Sequence, residues 1–152
     1  MIHYLRGDAT RPELRGPKVI AHVCNNKGGW GKGFVLALSR RWPEVEASYR
    51  RWYKNGKGFE LGAIQIVQVT PEIWVANMIA QDGYASSSNP TPLQYPALRK
   101  CLEHVAIEAG GFSATVHIPK IGTGLAGGDW ALIEPLLEET LAKRHVYVYT
   151  LE

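Results

Sequence analysis

The chain has 152 residues, enough for one domain with a substantial core, and that domain is expected to span 1–152. Its composition, 45% apolar and 20% charged, excludes a disordered or fibrous protein. The net charge of +3 is unevenly spread: residues 1–60 carry 12 Lys/Arg against 5 Asp/Glu, and residues 61–152 carry 5 against 9, which permits an anionic ligand on the N-terminal side.

Ile2–Arg6 reads as a short strand ending at Gly7-Asp8. Val19–Val23 is a nearly continuous apolar run of strand length, the pattern of a strand buried on both faces. The stretch CNNKGGWGKGF follows at Cys24–Phe34, and Phe34–Arg41 then reads as a helix. Pro43 starts another, which stops at Asn55-Gly56. Ala63–Thr70 alternates and Ile73–Ile79 follows a Thr-Pro-Glu turn, so the two form an antiparallel hairpin. Gln81–Pro92 is polar and turn-rich. Leu98, Cys101, Leu102, Val105, Ala106 and Ala109 fall on one helical face. Val116–Ile118 is a strand, Pro119–Gly128 a second glycine-rich loop, Trp130–Arg144 a last helix containing Pro135, and Val146–Tyr149 a closing strand.

Strands alternating with helices, one hairpin included, imply an α/β fold with a mixed sheet and helices on both faces. Ligands of such folds lie outside the carboxyl ends of strands. Both glycine-rich loops leave predicted buried strands there and run into helices. Backbone N–H groups at a helix start, cleared of side chains by glycine, suit an anion. Gly31-Lys32-Gly33 fits this description, as do Gly122-Thr123-Gly124 and Gly127-Gly128. The spacing matches neither GxGxxG nor a P-loop. Together the loops could hold a pyrophosphate from two sides.

Three segments then carry a resemblance: GDAT at Gly7–Thr10, AHVCNNKGGWGKGF at Ala21–Phe34, and PKIGTGLAGGDW at Pro119–Trp130. With VYVYTL near the C-terminus, the whole chain resembles the macrodomain family. It is most similar to the branch whose members dephosphorylate ADP-ribose-1″-phosphate or remove terminal ADP-ribose from proteins. The resemblance implies a three-layer α/β/α fold that binds ADP-ribose. It implies that Asp8, with its neighbour Ala9, receives the adenine, that Leu151 lines the adenine pocket, and that Asn25 faces the distal ribose. Gly31, Lys32 and Gly33, with Gly122, Thr123, Gly124, Leu125 and Ala126, would offer backbone N–H groups to the pyrophosphate and distal ribose.

The branch's lysine and aspartate are replaced here by Gln81 and Ala126, neither of which forms a lysyl adduct or acts as an acid at neutral pH. A water-mediated, lysine-independent hydrolysis is therefore expected, with Asn25 and Asp82 as the catalytic candidates. Asp82 also fits an Asx turn before Gly83, Asp129 fits a helix N-cap, Lys120 a solvent-exposed charge and His22 a satisfied core histidine. The expected function is hydrolysis of ADP-ribose esters on Glu or Asp side chains. The alternatives are ADP-ribose-1″-phosphate dephosphorylation and non-catalytic reading of ADP-ribosylated proteins.

His3, His104, His117 and His145 show no metal-ligand spacing, so no metal and no cofactor are expected. Cys24 and Cys101 read as buried thiols of a reducing compartment. The start of the chain lacks a charged segment followed by an apolar stretch, and no apolar run reaches the roughly 18–20 residues of a bilayer span. A cytoplasmic monomer is expected, whose partner is ADP-ribose or an ADP-ribosylated protein. A nucleic-acid partner is not expected: the aromatics among the basic residues, Trp42, Tyr49, Trp52 and Tyr53, mostly fit a core face, and no nucleic-acid motif appears.

Overall fold

The computed structural model describes residues 1–120 and 128–150. In chain order its elements are β1 (Ile2–Arg6), β2 (Lys18–Asn25), α1 (Phe34–Arg41), α2 (Pro43–Asn55), β3 (Ile64–Thr70), β4 (Ile73–Gln81), α3 (Tyr95–Phe112), β5 (Thr115–Pro119), α4 (Trp130–Thr140) and β6 (Val146–Thr150). The strands form one sheet in the order β1-β6-β5-β2-β4-β3. All neighbours are parallel except β3, which pairs antiparallel with β4 as the hairpin pattern predicts.

The apolar run at Val19–Val23 lies at the heart of this sheet, between β5 and β4, and its alternate residues serve opposite layers. Val19 and Ala21 pack with Leu98, Leu102 and Val105 of α3 and Ile133 and Leu137 of α4. Ile20 and Cys24 pack with Leu38 of α1 and Val45 and Tyr49 of α2. The result is the expected α/β/α sandwich with a mixed sheet.

Local signals act where the sequence places them. Pro43 opens α2, and Gly56 closes it at φ 75°, a conformation that favours glycine. Asp129 caps α4, its Oδ1 accepting the Ala131 N–H at 2.9 Å. The last helix ends earlier than the sequence suggests, at Thr140 instead of Arg144. The Leu141 N–H still reaches the Leu137 carbonyl, but the Arg144 N–H bonds to Leu141 in a tight turn that redirects the chain into β6. Of the four aromatics on the basic segment, Trp42 and Tyr49 are buried and Trp52 packs against the same core, while Tyr53 is exposed. No helix among the described residues is long and apolar enough to cross a membrane.

Candidate functional site

Parallel pairing brings the carboxyl ends of β1, β5, β2 and β4 to one edge of the sheet. A cavity of about 690 Å³ opens at the ends of β5, β2 and β4, within the size range of small-molecule sites. Its walls include Asn25, Gln81 and Pro119 at the ends of β2, β4 and β5, Gly29, Trp30, Lys32 and Gly33 from the first glycine loop, and Tyr84 and Lys120 just beyond β4 and β5.

The glycine loop owes its shape to Asn25. The Asn25 Oδ1 accepts the N–H groups of Lys27 at 2.8 Å and Gly29 at 3.1 Å, and its Nδ2 donates to the Gly29 carbonyl at 2.9 Å. The side chain expected to face the ligand thus lines the cavity while folding the loop around itself. Asn26, which the sequence reading passed over, ties that loop to the end of β4. Its N–H donates to the Gln81 carbonyl, its Nδ2 to Asp82 Oδ1 at 3.1 Å, and its Oδ1 accepts the Gly83 N–H at 3.0 Å. The signal was the doubled asparagine of CNN, two short amides that each organise local backbone.

Asp82 is therefore a clamp between two loops. Its carboxylate is turned to Asn26 and is not among the described groups that wall the cavity. The Asp82 carboxylate accepts from Asn26 Nδ2 and not from the Tyr84 N–H that an Asx turn would use. Gln81, at the position of the expected lysine, does line the cavity, with its Nε2 bonded to the Gly83 carbonyl at 2.9 Å.

Gly31, Lys32 and Gly33 lead into α1 along the cavity wall. Gly33 is the residue before the helix, at φ 79°, and no side chain caps the N–H groups behind it. Those donors and the exposed Lys32 give this wall an electropositive character. Gly28 and Gly29 are needed for packing. A Cβ on Gly28 would fall 2.6 Å from the Tyr53 ring, and one on Gly29 would fall 2.4 Å from the Tyr84 hydroxyl.

On the cavity floor His22 and Cys24 sit in a buried polar chain. The carbonyl of Ser48 can only accept, so Gln65 donates to it with Nε2 and accepts from Asn77 Nδ2 with Oε1. Asn77 then offers Oδ1 to His22, which fixes Nε2 as the protonated nitrogen. Burial lowers the His22 pKa to about 4, against the opposing pull of Asn77, so the ring is neutral at pH 7. The Cys24 sulfur lies 3.9 and 3.8 Å from the two ring nitrogens, and burial pushes its thiol well above the usual range. The Cys-His-Asn set is consequently a satisfied core cluster and not an activated nucleophile.

Asp8 stands apart from the cavity, at the end of β1. Its Oδ1 accepts both the N–H and the hydroxyl of Thr10, at 2.8 and 2.7 Å, which fixes the carboxylate's orientation. Ala9 is buried beside it and has only backbone to offer a ligand. Lys120 is exposed as expected, lines the cavity and lies 5.6 Å from the Trp130 ring centre. Gly122, Thr123, Gly124, Leu125, Ala126 and Leu151 lie outside the described residues. Among the described residues no group of three His, Cys, Asp or Glu side chains could hold a metal ion.

No family model matches the chain. It is 28% identical over 163 residues to the ADP-ribose 1″-phosphate phosphatase of Candida albicans, covering 99% of this chain and 100% of that one. A Bacteroides thetaiotaomicron protein of unknown function superposes with a TM-score of 0.94 at 49% identity, over 98% of this chain and 97% of the other. A macrodomain protein from Streptomyces coelicolor superposes with a TM-score of 0.87 at 50% identity, over 99% of each chain. Half-identity to the Streptomyces coelicolor protein across essentially the whole length, on a superposable fold, places this chain in the macrodomain family.

Proposed function

We propose that the protein binds ADP-ribose and hydrolyses the esters that join it to glutamate or aspartate side chains of modified proteins. The observation that carries the reading is the cavity at the carboxyl edge of the sheet, with the uncapped start of α1 and Lys32 on its wall. Asp8 accepts the adenine amino group at the β1 end. The backbone of Gly31–Gly33, with the loop at 122–126, cradles the pyrophosphate. The distal ribose comes to rest over Asn25.

The chemistry needs little from the protein. A water oxygen bonds to the anomeric carbon of the distal ribose, and the ester oxygen leaves with the bonding electrons. The water's proton goes to solvent. The leaving group is a carboxylate, stable as an anion at neutral pH, so no acidic side chain is required to protonate it. Gln81 and Asn25 present neutral amides to this space, which orient a water without taking its proton. The contribution of the site is position and a field that favours the departing negative charge.

A second reading, dephosphorylation of ADP-ribose-1″-phosphate, is favoured by the name of the Candida relative. Non-catalytic recognition of ADP-ribosylated proteins is the reading left if no turnover is found. Incubation with glutamate-linked, serine-linked and 1″-phosphorylated ADP-ribose, followed by chromatography, separates all three. Release from glutamate alone is the expected result, and intact glutamate conjugate overturns it.

A further inference from the structure

Arg50 is held in place by a relay that crosses three elements. The indole N–H of Trp30, a buried wall residue of the cavity, donates to the Ser39 hydroxyl of α1 at 2.7 Å. Ser39 donates to Glu46 Oε1 of α2 at 3.0 Å, and Glu46 Oε2 accepts from Arg50 Nε at 2.9 Å. A second anchor runs from Arg50 Nη1 to the Gly28 carbonyl at 3.0 Å. Two anchors leave the rest of the guanidinium's five N–H donors unspent, and the side chain lines the cavity. A pre-organised fork of this kind suits a planar or tetrahedral oxyanion.

The strand order says which part of a ligand would meet it. Asp8 lies at the end of β1, one edge of the sheet, and the succession β6, β5, β2, β4 leads away from it. A ligand with its adenine at Asp8 crosses Pro119 at the end of β5 and Asn25 at the end of β2 before reaching Gln81 at the end of β4. Arg50, on the helix that packs over β3 beyond β4, and the exposed ring of Tyr84, three residues past the end of β4, border that far end. The cation therefore stands beyond the distal ribose, tied to Gly28 at the start of the first glycine loop and away from the Gly31–Gly33 wall expected to hold the pyrophosphate.

We propose that Arg50 is a specificity-determining residue that pairs with an oxyanion carried beyond the distal ribose. The inference rests on the ADP-ribose reading above. The anion comes either from a terminal phosphate or from a carboxylate flanking the modified residue of a peptide. Glu46 neutralises part of the charge and in return fixes the fork's direction, so Ser39 and Glu46 act as positioning residues.

The test compares paired ligands on wild type, Arg50→Gln and Arg50→Lys. One pair is ADP-ribose-1″-phosphate against ADP-ribose, read as the ratio of Kd values, or of KM where the ligand turns over. The other is an ADP-ribosylated glutamyl peptide with acidic flanks against one with neutral flanks, read as a ratio of kcat/KM. Wild type should favour the anionic member of at least one pair by about tenfold, and the pair that responds identifies the source. The ratio should fall to near one in Arg50→Gln and recover in part in Arg50→Lys. Because each ratio is taken within one protein, a loss of folded material cancels. Ratios near one in wild type for both pairs, or a preference that survives in Arg50→Gln, overturn the proposal while leaving ADP-ribose binding intact. A wild-type protein that binds no ADP-ribose removes the functional reading itself, and this inference with it.

Discussion

The Tyr49 hydroxyl of α2 lies 2.7 Å from the backbone oxygen of Asn25 and accepts the Gly28 N–H at 3.2 Å, so one phenol pins both sides of the first glycine loop. Tyr49→Phe would leave the half-buried Asn25 carbonyl and the buried Gly28 amide without this partner. A stability loss of about 1–3 kcal/mol is expected, measured by urea denaturation. ADP-ribose affinity should fall as well, since the loop that frames the cavity loses its anchor. A phenylalanine variant of unchanged stability would show that water replaces the hydroxyl at no cost.

Two glycines of the loop separate conformation from clearance. Gly33 sits at φ 79°, so any side chain there strains the backbone by roughly 1–2 kcal/mol. Gly31 has no positive φ, and a Cβ built on it meets nothing within 4 Å. Gly31→Glu is therefore the cleaner probe of an anion site. It should unfold at the wild-type temperature yet bind ADP-ribose at least tenfold more weakly, a loss of about 1.4 kcal/mol or more. Normal affinity in that variant would remove the pyrophosphate from this wall.

Asp8→Asn tests the adenine end. The asparagine oxygen can still accept both Thr10 bonds, so the turn should persist and stability should change little. The atom facing the adenine amino group becomes a donor instead of an acceptor. A weakening of about 1–3 kcal/mol is expected by calorimetry. Equal affinity would place adenine elsewhere.

Acid should destabilise the fold before its carboxylates titrate. Burial lowers both His22 and His117 to about 4, with Lys18 adding repulsion at His117. Histidine in the unfolded chain titrates near 6.5, so below that pH the unfolded state binds protons that the native state refuses. Stability should be level above pH 7 and then fall from about 6.5 towards 4, by up to about 1.4 kcal/mol per pH unit for each histidine. Urea midpoints between pH 7.5 and 5 check this, and a flat profile would contradict it.

Much of the architecture was legible because it is written in periodicity. The run at Val19–Val23, the hairpin around Pro71 and the stripe from Leu98 to Ala109 each state their own burial, and all three are found as read. Sequence order cannot state which strands become neighbours, so β6 entering between β1 and β5 had no local signature. The site divides in the same way. The glycines and Asp129 speak through backbone demands that one residue type satisfies. Asp82 fitted a catalytic carboxylate or a turn, and only the approach of Asn26 across two strand ends shows it to be a clamp. The chain from Trp30 through Ser39 and Glu46 to Arg50 joins side chains seven to nine positions apart, or four along a helix, and no one of them alone signals the other three.

The position of β6 also orders events during synthesis. Ile2 pairs with Val146 and Arg6 with Thr150, and among the described residues β6 is the one strand hydrogen-bonded to β1. During synthesis β1 therefore has no partner in this sheet until β6 has emerged. Until then β2, β4, β3 and β5 can assemble around α3, while the carboxylate expected to receive adenine hangs on an unpaired segment. Folding of the glycine loop and fixing of the Asp8 end are thus separated in time, and the nascent chain can close one wall of the cavity well before Asp8 is held in place.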